Sequence, residues 1–285
     1  MKVLFGYNGS TAAAAAIADL KNAGLPHDSE ILVVTVDEAW SDVDCAKPGA
    51  EQTANSAAEK LRFDFPHAEV TVKASSGSPA AEILEAAKQF QPDLIILAER
   101  EQTLDERNIF LGTTTKKVMT EADCSVRIAR GHANGSAAHE VVIGFDGSMA
   151  SQAAVEIVAR RSWPPDTKFC LAVVADSSAL SSLGRFMSQP ETAPKITQQW
   201  GEALADSARR RLSDSGGVVS VVVSIGNAKE VLVELAKKRG ACSLFVGPHC
   251  KGNSFEQYII GSVSSAVAAR AECSVEVVRD HSYNK

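Results

Sequence analysis

Short apolar runs alternate along the chain with stretches whose apolar residues recur at helical spacing. In the first half, Lys2–Gly6, Glu30–Val36, Glu69–Ala74, Leu94–Ala98 and Ser125–Ala129 are rich in Val, Ile, Leu and Ala and of strand length. Near 10–23, 49–63, 78–90 and 112–122, apolar side chains instead recur three and four positions apart. The first pattern predicts strands and the second amphipathic helices. Runs that do not alternate with polar residues predict strands covered on both faces, and so a doubly wound, Rossmann-like α/β domain with a parallel sheet of five strands. Ligands of such sheets lie beyond the carboxyl ends of the strands, where strand order reverses. The loops after the first and fourth strands are therefore where function is to be sought.

Comparing the chain with itself shows that the pattern occurs twice. Val3-Leu4-Phe5-Gly6-Tyr7-Asn8-Gly9-Ser10 recurs as Val142-Ile143-Gly144-Phe145-Asp146-Gly147-Ser148. Later, Gly112-Thr113-Thr114-Thr115 matches Gly261-Ser262-Val263-Ser264, and Ala122-Asp123-Cys124-Ser125-Val126 matches Ala271-Glu272-Cys273-Ser274-Val275. The offset grows between the first and the later matches, so the second half carries an insertion, placed at Leu180–Ile196 and read as a surface loop, a lid or a partner-binding segment. Gly131–Ala138 is small, polar and without periodicity, as a linker is. Two domains, 1–131 and 139–280, are expected.

Composition narrows the class. The chain has 285 residues, a length at which single cores divide, and its 45% apolar and 22% charged residues match ordinary globular proteins rather than disordered ones. With a net charge of -6 and no basic run longer than Arg209-Arg210-Arg211, there is no footprint for nucleic acid. No segment approaches the ~20 apolar residues of a membrane helix, and strand pattern begins at Lys2 with no signal-like stretch before it, so a cytoplasmic protein is expected. The six cysteines (Cys45, Cys124, Cys170, Cys242, Cys250, Cys273) form no CxxC pair and read as reduced thiols. His249-Cys250, with His281 as the nearest further histidine, falls short of the three or four ligands that zinc requires, so no metal site is expected.

The loops at the carboxyl ends carry the candidate chemistry. Asp146-Gly147-Ser148, with Asn8-Gly9-Ser10 as its counterpart, reads first as a turn with a glycine for a left-handed residue and a serine cap. After the fourth strand comes Gly247-Pro248-His249-Cys250-Lys251-Gly252-Asn253-Ser254, and then Gly261-Ser262-Val263-Ser264 opens the last helix. Free amides at a helix N-terminus form a cradle for phosphate. One Gly-Ser before a helix is an ordinary cap; the same feature at the same place in both halves argues for a shared ancestral site.

Taken together, the Asp-Gly-Ser after an opening strand, the Gly-Ser-Val-Ser helix start, the closing Ala-x-Cys-x-Val and Gly77-Ser78-Pro79-Ala80 resemble the universal stress protein family over nearly all of both halves. In members of that family that bind ATP, the phosphate loop follows Gly-x2-Gly-x9-Gly-[Ser/Thr], and an Asp after the first strand and a Val at the end of the second hold the adenosine end. The resemblance places this site on Asp146, Val174, Gly247, Gly261 and Ser262 of the second half, with Val263 and Ser264 beside them. The first-half counterparts are Asn8, Val36, Ala98, Gly112 and Thr113. Both halves depart from the pattern. Ala98 and Glu101 replace the early glycines of the first half, Glu101 brings a negative charge toward the phosphates and Asn8 lacks the acid, so that site reads as degenerate. In the second half Cys250 replaces the middle glycine and the spacing is one residue longer, with Gly252 offering backbone freedom nearby.

Three functions follow from the resemblance. The first is a stress-response regulator that binds ATP, with Mg as the accompanying ion, in its second domain. The second is a nucleotide-free interaction module with a protein partner. The third, a slow adenine-nucleotide hydrolase, has the least support, because the Ser-Gly-Gly-x-Asp-Ser loop of related hydrolases is absent and His27, His67, His132 and His139 lie in polar, loop-like stretches. No catalytic residue is expected. The family's last strands often pair across subunits; here Val126-Arg127-Ile128 and Val275-Glu276-Val277 would pair in an intramolecular pseudo-dimer, or in a homodimer, with Arg127 opposite Glu276.

Overall fold

The computed structural model describes residues 1–37, 49–98, 111–131, 139–175, 193–248 and 261–279. Two compact units emerge, Met1–Ala133 and Asn134–Asp280. In the first unit, β1 (Lys2–Gly6), α1 (Thr11–Asp19), β2 (Glu30–Asp37), α2 (Ala50–Asp64), β3 (Glu69–Ser76), α3 (Pro79–Phe90), β4 (Leu94–Ala98), α4 (Thr113–Glu121) and β5 (Ser125–Ala129) follow one another. All pairings are parallel, in the order β3-β2-β1-β4-β5, so the order reverses between β1 and β4. Local chemistry sets the helix ends. Ser10 caps α1 by accepting the Ala13 amide at 3.1 Å, Pro79 opens α3 where no amide partner is lost, and a 3-10 turn after α1 ends at left-handed Gly24.

The second unit repeats the plan with β6 (Glu140–Gly144), α5 (Met149–Arg160), β7 (Lys168–Ala175), α6 (Ala193–Ser213), β8 (Val218–Ile225), α7 (Ala228–Arg239), β9 (Ser243–Val246), α8 (Ser262–Arg270) and β10 (Ser274–Val277). Its strands are parallel in the order β8-β7-β6-β9-β10, and the reversal falls between β6 and β9. Each unit buries its own core, around Phe5, Leu20, Ile31 and Leu61 in the first and Phe145, Phe169, Leu171 and Phe245 in the second. Trp163 meets both Phe169 and Phe245 edge-on, at 5.8 and 6.0 Å between centroids.

Two expectations change. The β3 run is not covered on both faces: it buries Val70 alone, because an edge strand of a doubly wound sheet has a helix over only part of its surface. β8, its counterpart, contains no fully buried residue. The supposed loop at Leu180–Ile196 includes the first turn of α6, which starts at Ala193; the rest of that segment lies outside the described residues. Arg127 and Glu276 each have a partner within their own unit. Arg127 donates from Nη2 to Asp19 Oδ2 at 2.9 Å, and Arg161 holds Glu276 through both Nη atoms. No helix among the described residues is long and apolar enough to cross a membrane.

Candidate functional site

At the carboxyl ends of β6 and β9 the second unit opens into a cleft of about 270 Å³. Its walls are Gly144–Asp146, Ser148, Ala150 and Ser151 on one side, Ala172 and Val174 from β7, Ala228 and Leu232 from α7, and Val246–Pro248 with Gly261–Ser264 on the other. The cleft therefore lies at the topological switch point and brings together Asp146, Val174, Gly247, Gly261, Ser262, Val263 and Ser264. Gly252 lies outside the described residues, as do Glu101 and Cys250.

The acidic end is built from the turn after β6. The Ser148 amide donates to Asp146 Oδ1 at 2.9 Å. Gly147 adopts a left-handed φ of +78°, a conformation that favours glycine. Ser148 then caps α5 by accepting the Ser151 amide at 3.2 Å. Partial desolvation by the walls pushes the Asp146 carboxyl up, but hydrogen bonds from Ser148, Ser151 and its own backbone outweigh this and hold it below the usual carboxylate range. In the first unit, Asn8 makes the same turn, accepting the Ser10 amide at 3.2 Å beside Gly9 at +73°. The turn thus needs an acceptor oxygen, which Asn and Asp both supply. The negative charge is not needed for it.

That comparison yields a prediction. Asp146→Asn should keep the turn and the fold. A depressed carboxyl contributes stability that is present above its unfolded pKa and lost as pH falls through its folded pKa. Melting temperatures of wild type and variant are therefore expected to differ slightly at neutral pH and to converge as the pH drops below the carboxylate range; a gap that persists in acid would show that the turn itself was damaged.

The opposite end is the start of α8. Gly261 caps it with extended backbone and no side-chain hydrogen bond, and no acid stands in the first turn. Amides at the head of this helix are thus available to an anion, with the helix dipole favouring it. The exposed Ser262 hydroxyl lines the cleft, whereas the buried Ser264 hydroxyl is used internally, donating to the Gly247 carbonyl at 2.7 Å. Gly247 has a packing reason to be glycine: a Cβ there would sit 2.6 Å from the Ala150 carbonyl carbon and 2.7 Å from its oxygen. Sequence reasoning missed Ala150 and Ser151. Ser151 is buried, receives the Asp146 amide at 3.4 Å and donates to the Ser148 carbonyl at 3.0 Å; a serine three positions after a cap serine was the available signal.

The first unit places its corresponding residues much as the second does, except that Gly112 is exposed where Gly261 is buried. Asn8 and Thr113 are exposed, Val36 and Ala98 half-buried, and Gly112 caps α4 without a side-chain bond. At the Gly247 position, Ala98 carries a Cβ.

The family model described as "Universal stress protein family" matches residues 1–130 and again 138–279. A curated relative, universal stress protein A homolog 2 of Coxiella burnetii, is 31% identical over 83 residues, and the chain spans 56% of that relative's length. Among solved structures, a universal stress protein from Archaeoglobus fulgidus aligns over 98% of both chains at 19% identity with a TM-score of 0.67. A functionally unknown protein from Pseudomonas aeruginosa aligns over 97% of this chain and 92% of its own, at 14% identity and a TM-score of 0.65. At these identities the structural likeness is one of fold, and it is the family model, covering almost the whole chain in two copies, that decides the assignment. The chain belongs to the universal stress protein family and carries the family's domain twice, in tandem.

Proposed function

We propose that the second domain is a regulatory adenine-nucleotide site and that the protein acts in stress response through the state of that site rather than by turnover. The observation that carries this reading is the cleft itself, which sets an ionised carboxylate at one end and, at the other, the head of α8, whose cap residue Gly261 makes no side-chain hydrogen bond. A carboxylate accepts hydrogen bonds from ribose hydroxyls, and amides at a helix head donate to phosphate oxygens. At about 270 Å³ the cleft lies near the small end of ligand pockets, roughly 300–1,000 Å³, which suits one nucleotide rather than a dinucleotide. Asp146 is the one acid among the described lining residues, so a magnesium ion would arrive with the phosphates rather than be held in advance. Among the described lining residues none is a histidine or lysine that could act as base or acid on a bound nucleotide. The first domain, with Asn8 for the acid, is read as degenerate.

A second reading has its own support. Gly247 is explained by Ala150, and the Ser264 hydroxyl is engaged by Gly247. Two of the candidate positions are therefore accounted for by packing alone, as a nucleotide-free interaction module would have them.

Calorimetric titration with ATP, together with denaturing extraction of the fresh protein, separates the two. Gly261 has extended backbone that other residues adopt, so Gly261→Val is expected to fold, verified by its circular dichroism melt, while its side chain crowds the head of α8. ATP binding by the wild type, weakened in the variant by at least about tenfold, or 1.4 kcal/mol, is the expected result. Absence of both co-purified nucleotide and titration heat would select the interaction module.

A further inference from the structure

The two units treat their outer edge strands differently. β3 reads Glu69-Val70-Thr71-Val72-Lys73-Ala74-Ser75-Ser76 and carries both an acid and a base. β8 reads Val218-Val219-Ser220-Val221-Val222-Val223-Ser224-Ile225, with no charge and no proline. Among the described residues β8 pairs on one side alone, with β7. Val218 is 66% exposed and Ile225 49%. A long, charge-free, β-branched edge with a row of outward amides is a template for another strand, and proteins that do not use such an edge protect it with lysine, proline or a bulge.

Backbone polarity tells which residues face outward. The Val218 amide donates inward to Thr167 and the Gly226 amide inward to Ala175. In a parallel strand, residues that point their N–H and C=O to one side alternate with residues that point them to the other. Val219, Val221, Val223 and Ile225 therefore present both groups to the open edge.

The sequence of that edge is close to a palindrome about Val222. An antiparallel strand identical to it, centred on the same residue, sets Val219 opposite Ile225, Ser220 opposite Ser224 and Val221 opposite Val223. In this register the outward-facing residues meet only outward-facing residues, so each exchanges both N–H···O bonds with its opposite. A slip of one residue would set outward groups against inward ones and lose the ladder. We propose that the open edge of β8 is a self-pairing edge, at which two copies of this chain join antiparallel across a two-fold axis through Val222. Such an isologous contact uses up the edge and closes the assembly at two copies.

The axis supplies the test. Val222 meets its own copy as a non-hydrogen-bonded pair, in which side chains approach most closely, and like charges placed directly opposite one another repel. Its side chain lies on the face opposite Val219, Val221 and Val223, which pack on the core. Sedimentation equilibrium of the wild type over a range of concentrations, of Val222→Lys, of Val222→Glu and of their equimolar mixture is the experiment. The wild type is expected to dimerise, each variant to weaken association by at least about tenfold, and the mixture to regain it, because lysine then faces glutamate. Concentration-independent mass in the wild type, unaltered association in both variants, or a mixture that behaves as the average of its components would overturn the proposal. Should either variant fail to fold, amide exchange of the wild type decides: protection of Val219, Val221, Val223 and Ile225 must rise with protein concentration, and concentration-independent exchange at all of them rejects the self-pairing edge.

Discussion

Gly247→Ala is expected to destabilise the second domain by about 3 kcal/mol, the upper part of the range for forcing a methyl into a closely packed site. The new Cβ would lie 2.6 Å from the Ala150 carbonyl carbon and 2.7 Å from the Ala150 oxygen and Cβ, closer than real Cβ atoms come. Two of these three atoms are backbone, so no rotamer change relieves the clash, and either β9 must withdraw or the head of α5 must move. Both movements disturb the cleft, because the Gly247 carbonyl is the acceptor that ties Ser264, and with it α8, to the end of β9. The position equivalent by repeat behaves in the opposite sense. Ala98 already carries a Cβ there, so Ala98→Gly should cost only the roughly 0.5–1 kcal/mol of added backbone freedom. Urea denaturation of the two variants checks this. Similar midpoint shifts for both would show that Gly247 is not held by its contact with Ala150.

The asymmetry also bears on what the sequence discloses. The strands and helices of the first half were legible almost to the residue, because Leu94–Ala98 and Ser125–Ala129 are apolar runs of strand length and Ser10, Pro79 and Gly112 punctuate the helices. The repeat made the second half legible by transfer. What failed depended on position within the sheet. An apolar run such as Val218–Ile225 looks the same whether it lies in the middle or at the edge, since exposure is decided by which strand comes next to it in space and not by its own composition.

The candidate site was legible in its loops and not in its reasons. The residues singled out from Asp146 to Ser264, Gly252 apart, line one cleft because the doubly wound order brings the ends of β6 and β9 together. That Gly247 answers to Ala150 follows from a distance between a strand end and a helix head, which no spacing in the chain encodes. The partners that the buried charges find within each unit are a second case. Asp19 lies 108 residues from Arg127, and Arg161 lies 115 residues from Glu276, so only the fold reveals that each charge on a last strand is answered from the end of its own unit's first helix.

These pairs carry the second large effect. Arg161, at the C-terminal cap of α5, donates from Nη1 to Glu276 Oε2 at 2.8 Å and from Nη2 to Oε1, with its guanidinium 5.3 Å from the centre of the Phe245 ring. The side chains are 3% and 0% exposed. Arg161→Met keeps much of the apolar stem but leaves the Glu276 carboxylate buried without its fork, and breaking such a pair from one side costs about 3–5 kcal/mol. Replacing both partners removes the buried carboxylate together with its guanidinium, so Arg161→Met with Glu276→Leu is expected to recover most of that loss. Thermal or urea melts of the single and double variants decide the matter: a double variant as unstable as Arg161→Met would place the loss in the contact with Phe245 and the end of α5 instead. The first unit gives a reason to expect recovery. There the polarity is reversed, with the acid Asp19 on the helix and the base Arg127 on the strand, both fully buried. The same fold accommodates either sign at the same place, which is what is expected if the requirement is for a charge that is matched rather than for one particular residue.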